Sequence, residues 1–460
     1  MFNRENESQK QLLERFSHSY CFLFFIALLF FMGWYFDSGT TLVVSAAIGV
    51  LIPLFTSRDG EILGAILLIG LFTIPTFPLF DTIPWYMYAE IGIFVFGLIA
   101  FLIKKIFLKE INFNVGSLGI GLIALGVILL IATIVRQFTS FNEPSTNDNW
   151  GYITFGLLCL IIFAYFVFHM TSSSCNTDFI AKTFYIVSLI VLSQCLYALI
   201  RSKMEGSSVV LYKYTKWGSE NTVALVLEIC LPFLALIFSK NKWRIDTLIM
   251  IVLSYCFVFG ADSRGGIVTC VLLLPFLIFI LFRDLKNRRY VVTAVIVGLF
   301  VALSISYICV PTIRFGLNDL FNSGLNLAHR DEIWKDSYSY AQNNLLLGGG
   351  IQALFDLFPH YAPNYNGTVG IWLCHNTFFT IVAAGGWLAV ICYVYHLVEL
   401  FVTTYKAKFY VREALVYFIL VGLIHGLVDN TFFNIIYMIP YFWIYSYKDF
   451  KGIPYTEKLR

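Results

Sequence analysis

Charge is what this sequence most lacks. Only 13% of its 460 residues are Asp, Glu, Lys or Arg, while 59% are hydrophobic and 18% aromatic, and the mean hydropathy is +0.77. A soluble globular chain is about a quarter charged. A surface this poor in charge excludes a water-soluble fold and puts the chain in a bilayer. A concentrated basic face is missing as well: the net charge is +3, and no nucleic-acid partner is expected. The ten cysteines include no CxxC pair. Most stand inside apolar stretches (Cys21, Cys159, Cys195, Cys230, Cys256, Cys270, Cys309, Cys392), as small packing residues and not as a disulfide frame or a zinc site. HExxH, Walker and GxSxG motifs are absent. So are heptads, low-complexity tracts and any self-similarity between the halves, which weighs against an inverted-repeat transporter.

What is present is one apolar run after another. No small-residue cleavage site closes the first, beginning near Tyr20, so it reads as a membrane helix and not as a signal peptide. A span needs about 20 apolar residues. That template predicts roughly fourteen spans, centred near residues 27, 48, 70, 95, 126, 161, 190, 229, 252, 274, 300, 386, 420 and 438. The bias of Lys and Arg toward cytoplasmic loops orients them. With the N-terminus inside, 22 of the 31 basic residues fall on the inner side. The expected fold is all-α: a polytopic integral membrane protein of about 12–14 helices with one large extracytoplasmic loop carrying short helices. The division is 1–18 cytoplasmic, 19–311 about eleven spans, 312–370 the outer loop, 371–447 about three spans, and 448–460 a cytoplasmic tail.

The nine outer basic residues are Arg136, Arg201, Lys203, Lys213, Lys216, Arg264, Arg314, Arg330 and Lys335. Positive charge is disfavoured on that side, so each needs a reason. For Lys203, Lys213 and Lys216 solvated loop charge suffices. Arg264 differs, because Ala261-Asp262-Ser263-Arg264-Gly265-Gly266 lies between two long apolar runs. A guanidinium at a membrane boundary is paired, with Asp262 or another carboxylate, or it binds an anion. In the loop, Leu327 to Tyr340 has helical spacing that puts Arg330 and Trp334 on one face. Gly348-Gly349-Gly350 then permits either a helix cap or close backbone approach to a ligand. Cys374-His375-Asn376 enters the next span, where His375 is a candidate general base, with plain hydrogen bonding at a helix end as the bland alternative. His329, His360 and His425 compete with it. No Asp-x-Asp or Glu-x-Asp lies in an outer loop to hold a divalent metal; the adjacent Asp331-Glu332 diverge on a helix, and Asp37 is the other candidate for a metal-using alternative.

Several segments together resemble the bacterial O-antigen ligase/polymerase family. They are Trp217-Gly218-Ser219-Glu220-Asn221, Ser263-Arg264-Gly265-Gly266, Arg330 with Trp334, Asn344-Leu345-Leu346-Leu347-Gly348-Gly349-Gly350, His375-Asn376 and Gly385-Gly386. Their order and spacing over about residues 215–400 carry the resemblance; Asn343-Asn344 departs from the family's His-Pro. The resemblance implies transfer of a glycan from undecaprenyl pyrophosphate to an acceptor hydroxyl on the outer face of the bacterial cytoplasmic membrane, with inversion and with no metal or cofactor. It makes Arg264 and Arg330 the pyrophosphate ligands and His375 the base, with Asn376, Trp334, Asn221, Arg201 and Arg314 in support. Apolar grooves between spans would take the polyprenyl tail. The partners implied are the lipid-linked glycan donor, the glycan acceptor, and a flippase and chain-length regulator of the same pathway.

The usage rich in Phe, Ile, Asn and Lys suits a low-GC genome and favours a capsule or exopolysaccharide repeat-unit polymerase over a ligase acting on a non-repeat acceptor. A lipid-linked oligosaccharide flippase is the alternative from another class. It would need a polar path between its helices, and Glu90 and Glu228 are the clearest mid-span carboxylates.

Overall fold

The computed structural model describes residues 12–57, 60–73, 84–111, 116–139, 177–206, 211–215, 219–240, 244–261, 263–283, 330–350, 374–407 and 409–446, with isolated positions between them. All regular structure among these is helical. In chain order the helices are α1 (Tyr20–Tyr35), α2 (Gly39–Thr56), α3 (Glu61–Leu71), α4 (Trp85–Phe107), α5 (Gly116–Thr139), α6 (Thr177–Met204) and α7 (Leu211–Thr215). They continue with α8 (Glu220–Lys240), α9 (Ile245–Gly260), α10 (Arg264–Phe282), α11 (Arg330–Asn343), α12 (Thr377–Tyr405), α13 (Phe409–His425) and α14 (Ile435–Tyr445). Seven of them are long and apolar enough to cross a membrane, and α1, α3, α9 and α14 are shorter apolar helices. The chain is thus a polytopic, all-helical membrane protein. Every expected span centre falls within one of these helices except that near 161, which lies outside the described residues, and that near 300, around which isolated helical positions are described. Most of the expected 312–370 loop lies outside them too.

Helix α8 forms the centre. Every side chain from Val223 to Ile237 is buried, as expected of a helix apolar all round. It packs against α6, α9, α10, α13 and α14. Pro232 inside α8, Pro53 in α2, Pro275 in α10 and Pro440 in α14 interrupt their own hydrogen-bond ladders, which packing among neighbouring helices tolerates. The outer helices turn their large apolar side chains away from the core; Phe96 of α4 and Ile120 of α5 are more than half exposed. Such a face suits acyl chains, not water.

The two ends of the bundle differ in chemistry. At one end Arg283 pairs with Glu413, Lys240 with Asp178 and Arg244 with Asp246. Here Lys104 also donates to the carbonyls of Leu54 and Ser57, both at 2.8 Å, and closes the C-terminus of α2. The opposite end gathers the starts of α8, α10 and α12 and the end of α13.

Helix α12 is broken at Gly386, whose φ of 64° and ψ of −165° are open to glycine alone. The groups freed by the break are satisfied by the segment after α11. Trp387 N–H donates to Leu345 O at 3.1 Å, Leu388 N–H to Leu346 O at 3.3 Å, and Gly349 N–H to Ala383 O at 2.9 Å. The approach is closer than any side chain allows: a Cβ on Gly348 would stand 2.6 Å from Gly386 N, and one on Gly350 2.5 Å from Thr133 Cα. The sequence allowed this glycine triplet a close approach to a ligand; the approach observed is to α12 and α5. Its job here is to lock the α11 segment onto the broken helix.

Candidate active site

Arg264 opens α10 because Ser263 caps it. Ser263 is extended (φ −88°, ψ 105°), and its Oγ accepts from Gly266 N–H at 3.1 Å. The same hydroxyl donates to Asn221 Oδ1 at 2.8 Å, at the start of α8. Asn221 thus fixes the helix that presents Arg264. A cation on the first turn faces the positive end of the helix dipole, an arrangement relieved by a bound anion.

Arg330 comes from α11, which lies along the start of α12. Trp334, one turn further on, donates its indole N–H to Cys374 O at 3.0 Å and stacks on Phe379 with ring centroids 5.8 Å apart. Ser337 Oγ meets Cys374 Sγ at 3.1 Å. These contacts hold the residue immediately before His375. Burial depresses the pKa of Arg330; the charge of Asp429 acts upward on it and that of Arg264 downward. Both arginines and Asp429 are therefore within electrostatic reach of one another.

His375 stands in left-handed backbone, φ +47°, in the turn before α12. That conformation is uncommon for a residue with a side chain, and such strain concentrates at functional sites. Asn376 caps α12: its Oδ1 accepts from Phe379 N–H at 3.1 Å, and its Nδ2 donates to Leu427 O at 2.8 Å. Asn376 N–H donates to Asn430 Oδ1 at 3.2 Å, and Thr377 N–H to Gly426 O at 2.9 Å. The start of α12 is thereby sewn to the turn that follows α13. That turn brings Asp429 Oδ1 to 3.6 Å from His375 Nδ1, with both side chains part-exposed at 21% and 26%. Burial pushes the Asp429 carboxyl up, but the His375 contact, the charges of His425 and His375 and the Asn430 N–H together hold it down at about 2. Asp429 is ionised and able to orient His375.

The fold thus brings Arg264, Arg330 and His375 together, with Trp334, Asn376 and Asn221 as their supports. Arg201 is placed differently: it pairs at 3.0 Å with Glu205, just past the end of α6, both half-exposed. Arg314 is exposed, and the positions around it lie outside the described residues, as do Asp262, His329 and His360. His425 is fully buried and bonded to Glu228 at 2.9 Å. His169 bonds Ser446 O at 2.8 Å, and His396 bonds Tyr441 at 2.6 Å.

Two features escaped the sequence reading. Asp429 lies beyond the last motif noted, and its one local signal was an acid and an amide, Asp429-Asn430, just past the end of an apolar helix. The Glu228–His425 bond joins positions 197 residues apart, and no local pattern announces it.

The arrangement can bind an anion between two guanidiniums and remove a proton beside it. No curated protein and no solved structure matches the chain. Residues 248–394, the segment that carries Arg264, Arg330 and His375, do match the family model described as O-antigen ligase.

Proposed function

We propose that the chain is a repeat-unit polysaccharide polymerase of the bacterial cytoplasmic membrane, working at the outer face with both termini inside. It transfers a glycan from undecaprenyl pyrophosphate to a hydroxyl of another lipid-linked repeat unit. The observation that carries this reading is the convergence of two guanidiniums with the His375–Asp429 pair at one end of an apolar bundle. His375 Nδ1 faces Asp429, which leaves Nε2 to take the acceptor proton. As the acceptor oxygen bonds to the anomeric carbon, the bond from that carbon to the phosphate oxygen breaks on the opposite side, and the configuration inverts. Undecaprenyl pyrophosphate leaves with added negative charge, and Arg264 and Arg330 stabilise that charge as it develops. The proton ends on His375 and passes to water. No step calls for a metal ion or a cofactor, and the apolar faces of the spans accommodate the polyprenyl chain.

The test is reconstitution of the full chain in liposomes with lipid-linked repeat units. The expected products are lipid-linked oligomers longer than one repeat and free undecaprenyl pyrophosphate, formed equally with a chelator present. Transfer only to a non-repeat acceptor would make the protein a ligase. Movement of intact lipid-linked oligosaccharide across the bilayer would make it a flippase. A reporter active only outside the cell should be positive when fused after Gly350 and negative after Arg283; the reverse pattern would put the site on the wrong side for this chemistry.

A further inference from the structure

Glu228 and His425 lie under the site, both fully buried, with Oε2 and Nδ1 2.9 Å apart. Neither Glu228 Oε1 nor His425 Nε2 has a hydrogen-bond partner among the described residues. A buried pair that is only half satisfied is an expensive way to hold helices together, and apolar residues of the same size serve stability as well or better. Its location suggests another role. The first turn of α10 rests on both partners: a Cβ on Gly266 would come 2.9 Å from Glu228 Oε1 and 2.6 Å from Ala224 Cβ, and one on Gly265 would come 3.6 Å from His425 Nε2. Arg264 is the residue before these glycines. On the other side, His425 O accepts from Asp429 N–H at 2.9 Å, so His425 starts the turn that delivers Asp429. The charges of Asp429 and Arg330 reach His425 itself.

We propose that the Glu228–His425 pair is a positioning element of the anion site, keying α8, α10 and α13 at one buried point so that Arg264 and Asp429 are held in register. Neither residue touches substrate. Glu228 sets the depth of the Gly265–Gly266 turn and therefore where the Arg264 guanidinium stands. His425 sets the departure of the 426–430 turn and therefore where Asp429 meets His375. The two orphaned atoms, Glu228 Oε1 and His425 Nε2, face the glycines because a side chain there would push α10 off the pair. This inference rests on the reading of Arg264 and Arg330 as a pyrophosphate site.

The test uses the full chain in detergent, with inorganic pyrophosphate as the ligand and hydrogen–deuterium exchange as a ligand-free readout. Glu228→Ala should weaken pyrophosphate binding by at least about three-fold, as coupled neighbours do, and Glu228→Gln should recover most of the loss by keeping a partner for His425. In an Arg264→Ala background Glu228→Ala should weaken binding no further, because the residue it positions is gone. Exchange should rise in Glu228→Ala at both 263–267 and 426–430 while α5 is unchanged. Should Glu228→Ala not fold, His425→Asn against His425→Gln gives the same comparison, since only Asn sets its amide near the place of Nδ1. Losses that add fully to Arg264→Ala, or normal exchange at both segments, would overturn the proposal. If the wild-type protein itself binds no pyrophosphate, the pyrophosphate site falls, and the exchange readout still decides whether the pair couples the two segments.

Discussion

His375 Nδ1 lies 3.6 Å from Asp429 Oδ1, across a junction in which the start of one helix is bonded to the turn that ends another. Neither residue could hold this geometry alone. His375 is in left-handed backbone, and Asp429 is fixed because Asn430 binds the N–H of Asn376 and the hydroxyl of Thr380. A carboxylate that fixes one ring nitrogen leaves the other to act as a base, which is the general logic of an oriented histidine.

Replacement of His375 by Ala should cut turnover by about 10²–10⁴-fold, the usual contribution of a general base, while donor binding stays near normal. Asp429→Asn should give a smaller loss of turnover, again with donor binding kept, because His375 remains but is no longer oriented by a carboxylate. Single-turnover rates and donor-binding measurements on each variant separate the two quantities. A folded His375→Ala protein with normal turnover would return the base to His329 or His360.

For the arginines the expected pattern is different. Arg264→Ala or Arg330→Ala should each lower turnover by about 10²–10³-fold, as loss of one preorganised group facing developing negative charge does, and should also weaken donor binding. Lysine at either position should restore only part of this, since an ammonium keeps the charge and loses the planar two-pronged fork. Full activity of either lysine variant would mean that charge alone is used.

Acid should loosen the site in a defined window. Asp429 has its carboxyl depressed from 3.8 to about 2. Its stabilising contribution is present above pH 4 and is lost as pH falls from about 4 to about 2, since protonation then favours the unfolded chain. Melting temperatures at pH 5 and pH 2.5 should therefore fall further for the wild type than for Asp429→Asn. Equal falls would mean that Asp429 gains nothing from its partners.

Gly386→Ala should destabilise the protein more than any change at an ordinary helical glycine. The backbone there costs about 1–3 kcal/mol for a residue with a side chain, and the new Cβ would stand 2.5 Å from Leu346 O. Lower yield and a lower melting temperature in detergent are expected. Activity per folded molecule should also drop, since the same contacts hold α11, which carries Arg330 and Trp334.

The sequence by itself decided the environment and most of the helices. Scarcity of charge and repeated apolar runs are local properties, and each describes a helix that satisfies its own backbone bonds in lipid. Arg264 and His375 stood out for a related reason, as strong polar groups at the edge of an apolar run, whereas Arg330 stood out as a basic residue in the outer loop one helical turn from Trp334. Caps such as Ser263 and Asn376 were also within reach of a local reading.

What the sequence left open was every relationship between distant helices. Gly348-Gly349-Gly350 reads equally well as a cap or a ligand turn, and only the tertiary structure shows it packed against the break at Gly386 on α12. Asp429, 54 residues after His375 by their numbers, becomes its partner because Asn376, Thr377 and Asn430 stitch two helix ends together. Glu228 and His425 meet because α8 and α13 pack side by side. Apolar packing is non-directional, so a hydrophobic pattern determines that helices associate but not which faces meet. That choice is made by a few close-packed glycines and buried hydrogen bonds, and it exists only in the tertiary structure.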